Sequence, residues 1–197
     1  MSRVLAYHKP AGLVVTHDDE LGRETVYDRL VPKLPPALRR ARWHAVGRLD
    51  KETTGLLLFT DDGAFVSFAT QPSTAPPKTY EALVKGLLGE PELERLRAGV
   101  PLTGGLGTSA PCEARLLEHQ KATSWITLTL REGKNREVRR MLLAIGSQVI
   151  RLARVAIGGL PLDLEEDRWR PVTPAELEGA LGWRSAPAAA RPGRRRA

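Results

Sequence analysis

The sequence predicts an α+β fold in which helices flank a mixed or antiparallel sheet. Strand-like runs outnumber helical patterns, and the two do not alternate strictly, as a parallel βαβ arrangement requires. Residues 125–130 (WITLTL) alternate apolar and polar side chains, which is typical of an antiparallel strand with one solvated face. With 197 residues, 42% of them hydrophobic, the chain can bury a core of its own.

Short runs rich in Val, Ile, Leu, Thr or Tyr predict the strands, and apolar residues recurring every three or four positions predict the helices. A proline opens two of the helices, and a glycine follows a third. The predicted strands are residues 4–7, 13–16, 56–60, 79–84, 114–117, 124–130 and 149–157, and the predicted helices are residues 64–69, 91–98, 135–145 and 174–181.

The chain divides into a folded domain over residues 1–183 and a basic tail over residues 184–197. The tail consists mostly of Ala, Pro and Arg, with five arginines and no acidic residue from Arg184 onward. Such a composition cannot bury enough apolar surface to fold, so the tail is expected to be disordered.

The positive charge of the chain is localised. The net charge is +7, and residues 131–154 hold seven basic against two acidic residues, a local charge of +5. A concentrated basic segment predicts a polyanionic partner such as a nucleic acid. For the tail, a simple solvated basic end is an equally open interpretation.

The sequence disfavours a membrane protein, a secreted protein, a metal-binding protein and a dinucleotide-binding protein. No apolar run approaches the roughly 20 residues that span a bilayer, and the polar start does not fit a signal peptide, so the prediction is a cytoplasmic protein without a membrane partner. One cysteine and four histidines without ligand spacing predict no metal site. Residues 105–110 match a dinucleotide-binding spacing, but Pro111 follows where a helix should begin, so we interpret them as a turn.

A first reactive segment is residues 47–63 (GRLDKETTGLLLFTDDG). It is a loop of ionisable groups and hydroxyls that leads into an apolar strand, where a rigid scaffold can present reactive side chains. Asp50 is the candidate catalytic carboxylate. From local spacing alone, a turn residue bonded to Thr53 is the commoner interpretation.

A second segment, at residues 78–80, is a lysine, a threonine and a tyrosine at the start of a predicted strand. Alternation directs Lys78 and Tyr80 to the same face. A tyrosine there can stack on a base while the lysine binds a phosphate. The alternative is a half-buried strand tyrosine beside a lysine whose amine reaches solvent.

The third segment is residues 132–142 (EGKNREVRRML). On a helix, Arg136, Arg139 and Arg140 lie at spacings of three and four residues and would form one cationic ridge for a phosphate backbone. Lys134 precedes them. A solvated charged face is the alternative, although two glutamates are too few to neutralise it.

Together these segments closely resemble the RsuA-type family of bacterial ribosomal RNA pseudouridine synthases. The match adds KPAGL at residues 9–13, RLAR at 151–154 and IGGL at 157–160. Asp61 stands where the family usually has Asn, and Glu137 where Gln is common. The catalytic domain begins near Met1, so the chain resembles the compact branch that lacks an N-terminal domain of the S4 type, similar to the large-subunit synthase E.

The resemblance implies the pseudouridine synthase catalytic fold and a cofactor-free, monomeric enzyme that isomerises uridine, with 23S more expected than 16S ribosomal RNA as its partner. Asp50 would be the catalytic carboxylate, with Arg139 as its ion-pair partner. Tyr80 would stack on the flipped base, Arg48 would fill the space that the base leaves, and Leu152 would close the pocket.

Two alternatives stay open from the sequence. A non-catalytic ribosome-binding or assembly protein would need only the charge, whereas the enzyme needs Asp50. A synthase that acts on transfer RNA would share every active-site residue.

Overall fold

The computed structural model describes residues 3–184, so the predicted tail beyond Arg184 lies outside the described residues. Within that range the chain forms one sheet of nine strands with six α-helices, which confirms the predicted α+β class. The strands are β1 (Val4–Lys9), β2 (His44–Val46), β3 (Thr54–Thr60), β4 (Lys78–Lys85), β5 (Glu113–Gln120), β6 (Thr123–Leu130), β7 (Val149–Ile157), β8 (Leu160–Pro161) and β9 (Trp169–Pro171). The helices are α1 (Val26–Leu30), α2 (Pro36–Arg39), α3 (Gly63–Thr70), α4 (Glu90–Ala98), α5 (Glu137–Ala144) and α6 (Pro174–Leu181).

The sheet consists of two antiparallel halves joined by one short parallel seam. Its main order is β5-β6-β4-β7-β3-β1-β9, with β2 paired to β3 and β8 paired to β7. Only β3 and β7 run parallel, through Thr54 opposite Ala153 and Gly55 opposite Arg154. A mixed sheet was predicted, but the position of the seam was not.

The long predicted elements are confirmed, and two predictions need correction. Residues 13–16 are not a strand, because only Val14 makes an isolated bridge, to Thr25. The helix predicted over residues 135–145 begins two residues later, since Arg136 has a left-handed backbone with φ of 51°. The missed elements α1, α2, β2, β8 and β9 span two to five residues each, too few to show a period.

Two of the three core clusters lie on the two faces of β3, whose apolar run is buried throughout, and the third packs α4 and α5 against the half of the sheet that contains β4 and β6. Leu56 and Leu58 pack on one side with α3 and α6, while Leu57 and Phe59 pack on the other with α1 and Trp43. A strand buried on both faces carries a continuous hydrophobic run. Because β3 is held from both sides, the loop that enters it has a rigid end.

Gly55 is required by the seam, and its replacement will be costly. Its φ is +110°, and a Cβ there would lie 2.3 Å from the carbonyl oxygen of Arg154. We therefore expect Gly55→Ala to lower the free energy of unfolding by at least about 3 kcal/mol, measured by urea denaturation. Gly63→Ala is the control, because its Cβ would meet nothing within 4 Å and should change stability by less than about 1 kcal/mol. Equal free energies of unfolding for both variants would contradict the close approach of Gly55 to the backbone of Arg154.

Candidate active site

The loop of residues 47–53, which we call the Asp50 loop, is anchored by hydrogen bonds from a buried lysine. Lys9 has no exposed surface, and its Nζ donates to the carbonyls of Pro10 (2.8 Å), Lys51 (3.1 Å) and Thr53 (2.9 Å). Burial lowers the pKa of Lys9 to about 8. The backbone N–H of Thr53 donates to the carbonyl of Asp50, the turn bond that local spacing suggested. The loop is therefore an anchored turn whose Asp50 side chain is free to face a partner.

Two arginines face the Asp50 carboxylate. Arg139 Nε and Arg136 Nη1 each lie 3.5 Å from Asp50 Oδ2, which is ion-pair distance rather than that of a short hydrogen bond. The Arg139 side chain is 18% exposed and the Arg136 side chain 52%. Arg139 Nη2 also lies 3.4 Å from Thr53 Oγ1. Arg139 is thus the enclosed partner of Asp50, and Arg136 the solvent-facing one.

Burial makes Arg139 depend on its carboxylate partner. Desolvation lowers the pKa of Arg139, and the Asp50 charge opposes that shift. A partly desolvated cation is stable only when an anion or hydrogen-bond acceptors compensate it. Asp50 and Arg139 therefore stabilise each other as a pair.

The pair lies at a small cavity of about 70 Å³, which we call the reaction cavity. Six of the predicted site residues line it: Arg48, Asp50, Tyr80, Arg136, Arg139 and Leu152. They come from the Asp50 loop, β4, the start of α5 and β7, so the seam between β3 and β7 brings them together.

A wider groove of about 580 Å³, which we call the outer groove, opens beside the reaction cavity. The segment after β1 forms one wall, and Arg48, Asp50 and Arg136 are common to both spaces. Residues 14–23 were not predicted to line a site, since a loop of mixed charge has no distinctive pattern.

Of the three remaining predicted site residues, Lys134 and Arg140 have structural partners. Lys134 Nζ donates to the Thr108 carbonyl (2.7 Å) and pairs with Glu132 (3.0 Å). Arg140 Nη1 donates to the carbonyl of Thr103 (2.7 Å). Lys78 is half-buried outside the lining of the reaction cavity, and burial with the nearby Arg154 lowers its pKa.

The predicted ridge of three arginines on one helical face is wrong. Arg136 precedes α5, and its left-handed backbone turns it toward Asp50. Within α5, Arg139 contacts Thr53 while Arg140 contacts Thr103 and Asn135. The three side chains make different contacts, because only two of them share a helix and each has a different acceptor.

Sequence reasoning did not predict the role of Glu137, the first residue of α5. Glu137 is 4% exposed and lines the reaction cavity; its Oε2 accepts from the backbone N–H of Lys134 (3.0 Å), and its Oε1 is buried without a hydrogen-bond donor. Burial and the neighbouring Glu132 carboxylate raise the pKa of Glu137 to about 8. Its spacing of three residues from Lys134, typical of a cap, is the only sequence signal.

Glu137 should make stability depend on pH. Its pKa is higher folded than unfolded, so its contribution is fully present below the ordinary glutamate range and is lost as pH rises to about 8. We expect Glu137→Gln, a neutral isostere, to gain stability relative to the wild type as pH rises from 5 to 8, measured by urea denaturation. Glu94→Gln, which changes an exposed carboxylate of α4, should show a constant difference. A constant difference for Glu137→Gln would contradict a protonated Glu137.

Among residues 3–184, no group of histidine, cysteine and acidic side chains is arranged to hold a metal ion. Over the same residues, no helix has the length and apolarity needed to cross a bilayer.

These features define a carboxylate site on a basic, cavity-bearing α+β domain, and sequence comparison identifies the class. The profile of the family described as RNA pseudouridylate synthase matches residues 3–144. The chain belongs to this family.

Particular relatives are ribosomal enzymes by name. The chain is 46% identical over 160 residues to ribosomal large subunit pseudouridine synthase B of Salmonella typhi, covering 81% of this chain and 53% of that protein. It is 43% identical over 172 residues to the protein of the same name from Yersinia pestis, covering 85% and 51%. The chain therefore spans about half the length of the curated relatives it matches.

Solved structures agree with the fold. A crystal structure of a pseudouridylate synthase superposes with a TM-score of 0.78 and 32% identity, covering 92% of this chain and 74% of that one. Human RNA pseudouridylate synthase domain containing 1 has a TM-score of 0.59 at 18% identity, covering 91% and 82%, which supports the fold alone.

Proposed function

We propose that the chain isomerises uridine to pseudouridine in ribosomal RNA, most specifically the 23S RNA of the large subunit, without a cofactor. The observation that carries the proposal is the pairing of Asp50 with Arg136 and Arg139 at a cavity that also holds Tyr80. A protein that only binds RNA gains nothing from a carboxylate there, since it repels phosphates. The names of the curated relatives support the large-subunit target.

The reaction needs only atoms already present in the substrate. The C1′–N1 bond breaks, the uracil turns, and a C1′–C5 bond forms, while the proton on C5 leaves to solvent and N1 gains one. Asp50 either attacks C1′ or abstracts the 2′ proton, and both routes need its ionised form. No electron or group donor is consumed in either.

The other residues would prepare the nucleotide for Asp50. A base flipped from folded RNA costs a few kcal/mol in lost stacking. Tyr80 would return about 1–3 kcal/mol by stacking on the flipped base. Buried Leu152 would form the apolar wall, and exposed Arg48 can reach the space that the base leaves.

Basic side chains around the reaction cavity would bind the RNA backbone. Arg136 is exposed enough to exchange Asp50 for a phosphate. Lys134 would act chiefly by fixing the loop at residues 103–108, whereas Arg140, held by neutral acceptors, would keep its charge for the RNA backbone. Lys78 would contribute long-range charge rather than a contact in the cavity. The enzyme is expected to act in the cytoplasm and as a monomer, and the similarity to the compact, E-like branch stays a prediction, since the curated relatives named above are of the B type.

Mapping the modified nucleotide tests the function and its target together. Unmodified 23S, 16S and transfer RNA transcripts carrying tritium at C5 of uridine should release tritium only from the 23S transcript, with one modified uridine found by carbodiimide primer extension. Binding without release from any transcript would favour the ribosome-binding alternative. Release from transfer RNA alone would overturn the ribosomal target.

A further inference from the structure

A second groove is lined by the two Asp50-facing arginines and has a different charge from the outer groove. This α5 groove has a volume of about 410 Å³, and its lining includes Thr103, Arg136, Arg139, Arg140, Leu143 and Gln148. Its described lining holds three arginines and no carboxylate. The larger outer groove is lined by four acidic and four basic residues, which cancel. The α5 groove is therefore positively charged, whereas the larger outer groove has no net charge.

The cations of the α5 groove are poorly neutralised. Arg136 and Arg139 share a single carboxylate, that of Asp50. Arg140 has no carboxylate within ion-pair distance among residues 3–184. A groove with this excess of charge attracts a polyanion, and the counterions released on binding favour the complex.

Arg140 is also held in position before any ligand arrives. Its Nη1 donates to the carbonyl (2.7 Å) and hydroxyl (2.9 Å) of Thr103, and its Nε donates to the carbonyl of Asn135 (2.9 Å). A side chain already fixed by neutral acceptors loses little conformational entropy when it meets a phosphate. Its full charge stays available because those acceptors are uncharged.

The groove continues from the reaction cavity. Arg136 and Arg139 line both spaces, so a strand whose target nucleotide lies at Asp50 reaches the α5 groove with its neighbouring nucleotides. Leu143, 51% exposed, gives the groove an apolar surface suited to a ribose or base face.

We propose that the α5 groove binds the single-stranded RNA backbone next to the target uridine, and that the outer groove does not. That the bound strand is RNA rests on the proposed function. That the RNA follows the α5 groove rests on the charge of the groove. Leu143 and Gln148 are groove residues outside the reaction cavity, so they can be changed without touching Asp50 or its partners.

The test introduces a carboxylate into the groove. Leu143→Glu should weaken binding of a fluorescent single-stranded RNA 12-mer about fivefold at low salt. It should also reduce the slope of log affinity against log salt by about 0.7, which corresponds to one fewer neutralised phosphate on a single strand. Leu117→Glu on β5 is the matched control, since Leu117 is 52% exposed and lies outside the groove. If Leu143→Glu lowers thermal stability, Gln148→Glu is used instead. Gln148 is another exposed groove residue, and its change to Glu should weaken binding in the same way.

The outcomes separate this inference from the proposed function. The affinity for the 12-mer is measured without catalysis, so it tests the groove even if the chain does not isomerise uridine. The tritium release rate should be unchanged in the control Leu117→Glu, which lies outside the groove. Equal affinity and equal salt slope for Leu143→Glu and Leu117→Glu would show that the α5 groove does not bind the RNA. Polyglutamate of equal charge should bind at least tenfold more weakly than the RNA, and equal binding would overturn RNA as the occupant.

Discussion

Asp50→Asn should abolish isomerisation while RNA binding survives. The substitution keeps the size of the side chain but removes the only carboxylate that faces Arg136 and Arg139 among the described residues. We expect the single-turnover rate, measured by tritium release, to fall at least about 10³-fold, since neither nucleophilic attack nor proton abstraction is possible with an amide. Affinity for RNA should stay equal or rise, because a negative charge near the phosphates is removed.

The same variant should be slightly less stable, for a reason specific to this site. Arg139 is mostly enclosed and makes a weak contact to Thr53 Oγ1, and the loss of Asp50 removes its ion-pair partner. We expect a decrease of about 1 kcal/mol in the free energy of unfolding, less than for a fully buried pair because both side chains retain some solvent contact. Glu52→Gln is the control, since Glu52 is an exposed acid in the same loop, and its activity should be normal. Substantial tritium release by Asp50→Asn would refute the catalytic assignment.

Arg139→Met should lower the reaction rate and Arg136→Met the affinity for RNA, although both arginines lie 3.5 Å from the same oxygen. Arg139 is enclosed and also contacts Thr53, so its removal frees Asp50 to move and leaves its charge without the enclosed partner. We expect Arg139→Met to lower the single-turnover rate at saturating RNA about 100-fold with little change in affinity. Methionine keeps most of the length and apolar volume, so the charge is what is tested.

Arg136 is half-exposed and can leave Asp50 for a phosphate. Its replacement should weaken RNA binding and lower the salt slope by about 0.7 while the rate at saturating RNA falls less than about fivefold. Rate constants and dissociation constants at several salt concentrations, measured for both variants, separate the two roles. If Arg139→Met changed only affinity and salt slope, Arg139 would be a phosphate contact and its pairing with Asp50 would have no catalytic role.

Much of the site could be predicted because its residues lie in short, dense motifs. The apolar run of β3 identified a buried strand, and the charged loop before it identified Asp50 as a presented side chain. The resemblance to a family then added roles for Tyr80, Arg139 and Leu152, and these residues lie around one cavity. Local pattern alone did not separate Asp50 from an ordinary turn residue, since the Thr53 turn bond is present as well.

Two of the errors, the start of α5 and the ridge of arginines, have a common cause in the backbone near residue 136. Helical spacing placed Arg136 on a ridge with Arg139 and Arg140, but the left-handed conformation at Arg136 delays the helix and redirects the side chain. A non-glycine residue adopts that conformation at some cost, and the surrounding contacts must stabilise it. No periodicity in the sequence encodes such a local departure.

The sequence by itself determined the α+β class, the long strands and helices and the concentration of positive charge. Those properties depend on residues close together in the chain, where periodicity and motif spacing act. Only the tertiary structure decided that Lys9 anchors the Asp50 loop, that Glu137 is buried beside Glu132, and that Arg136 faces Asp50. Lys9 and the Asp50 loop are about 40 residues apart, and Asp50 and Arg136 are 86 apart. Lys9 meets the loop because β1 pairs with β3, which places Lys9 opposite Gly55. Arg136 meets Asp50 because β3 and β7 pair across the parallel seam, a long-range contact that depends on how the two halves of the sheet pack.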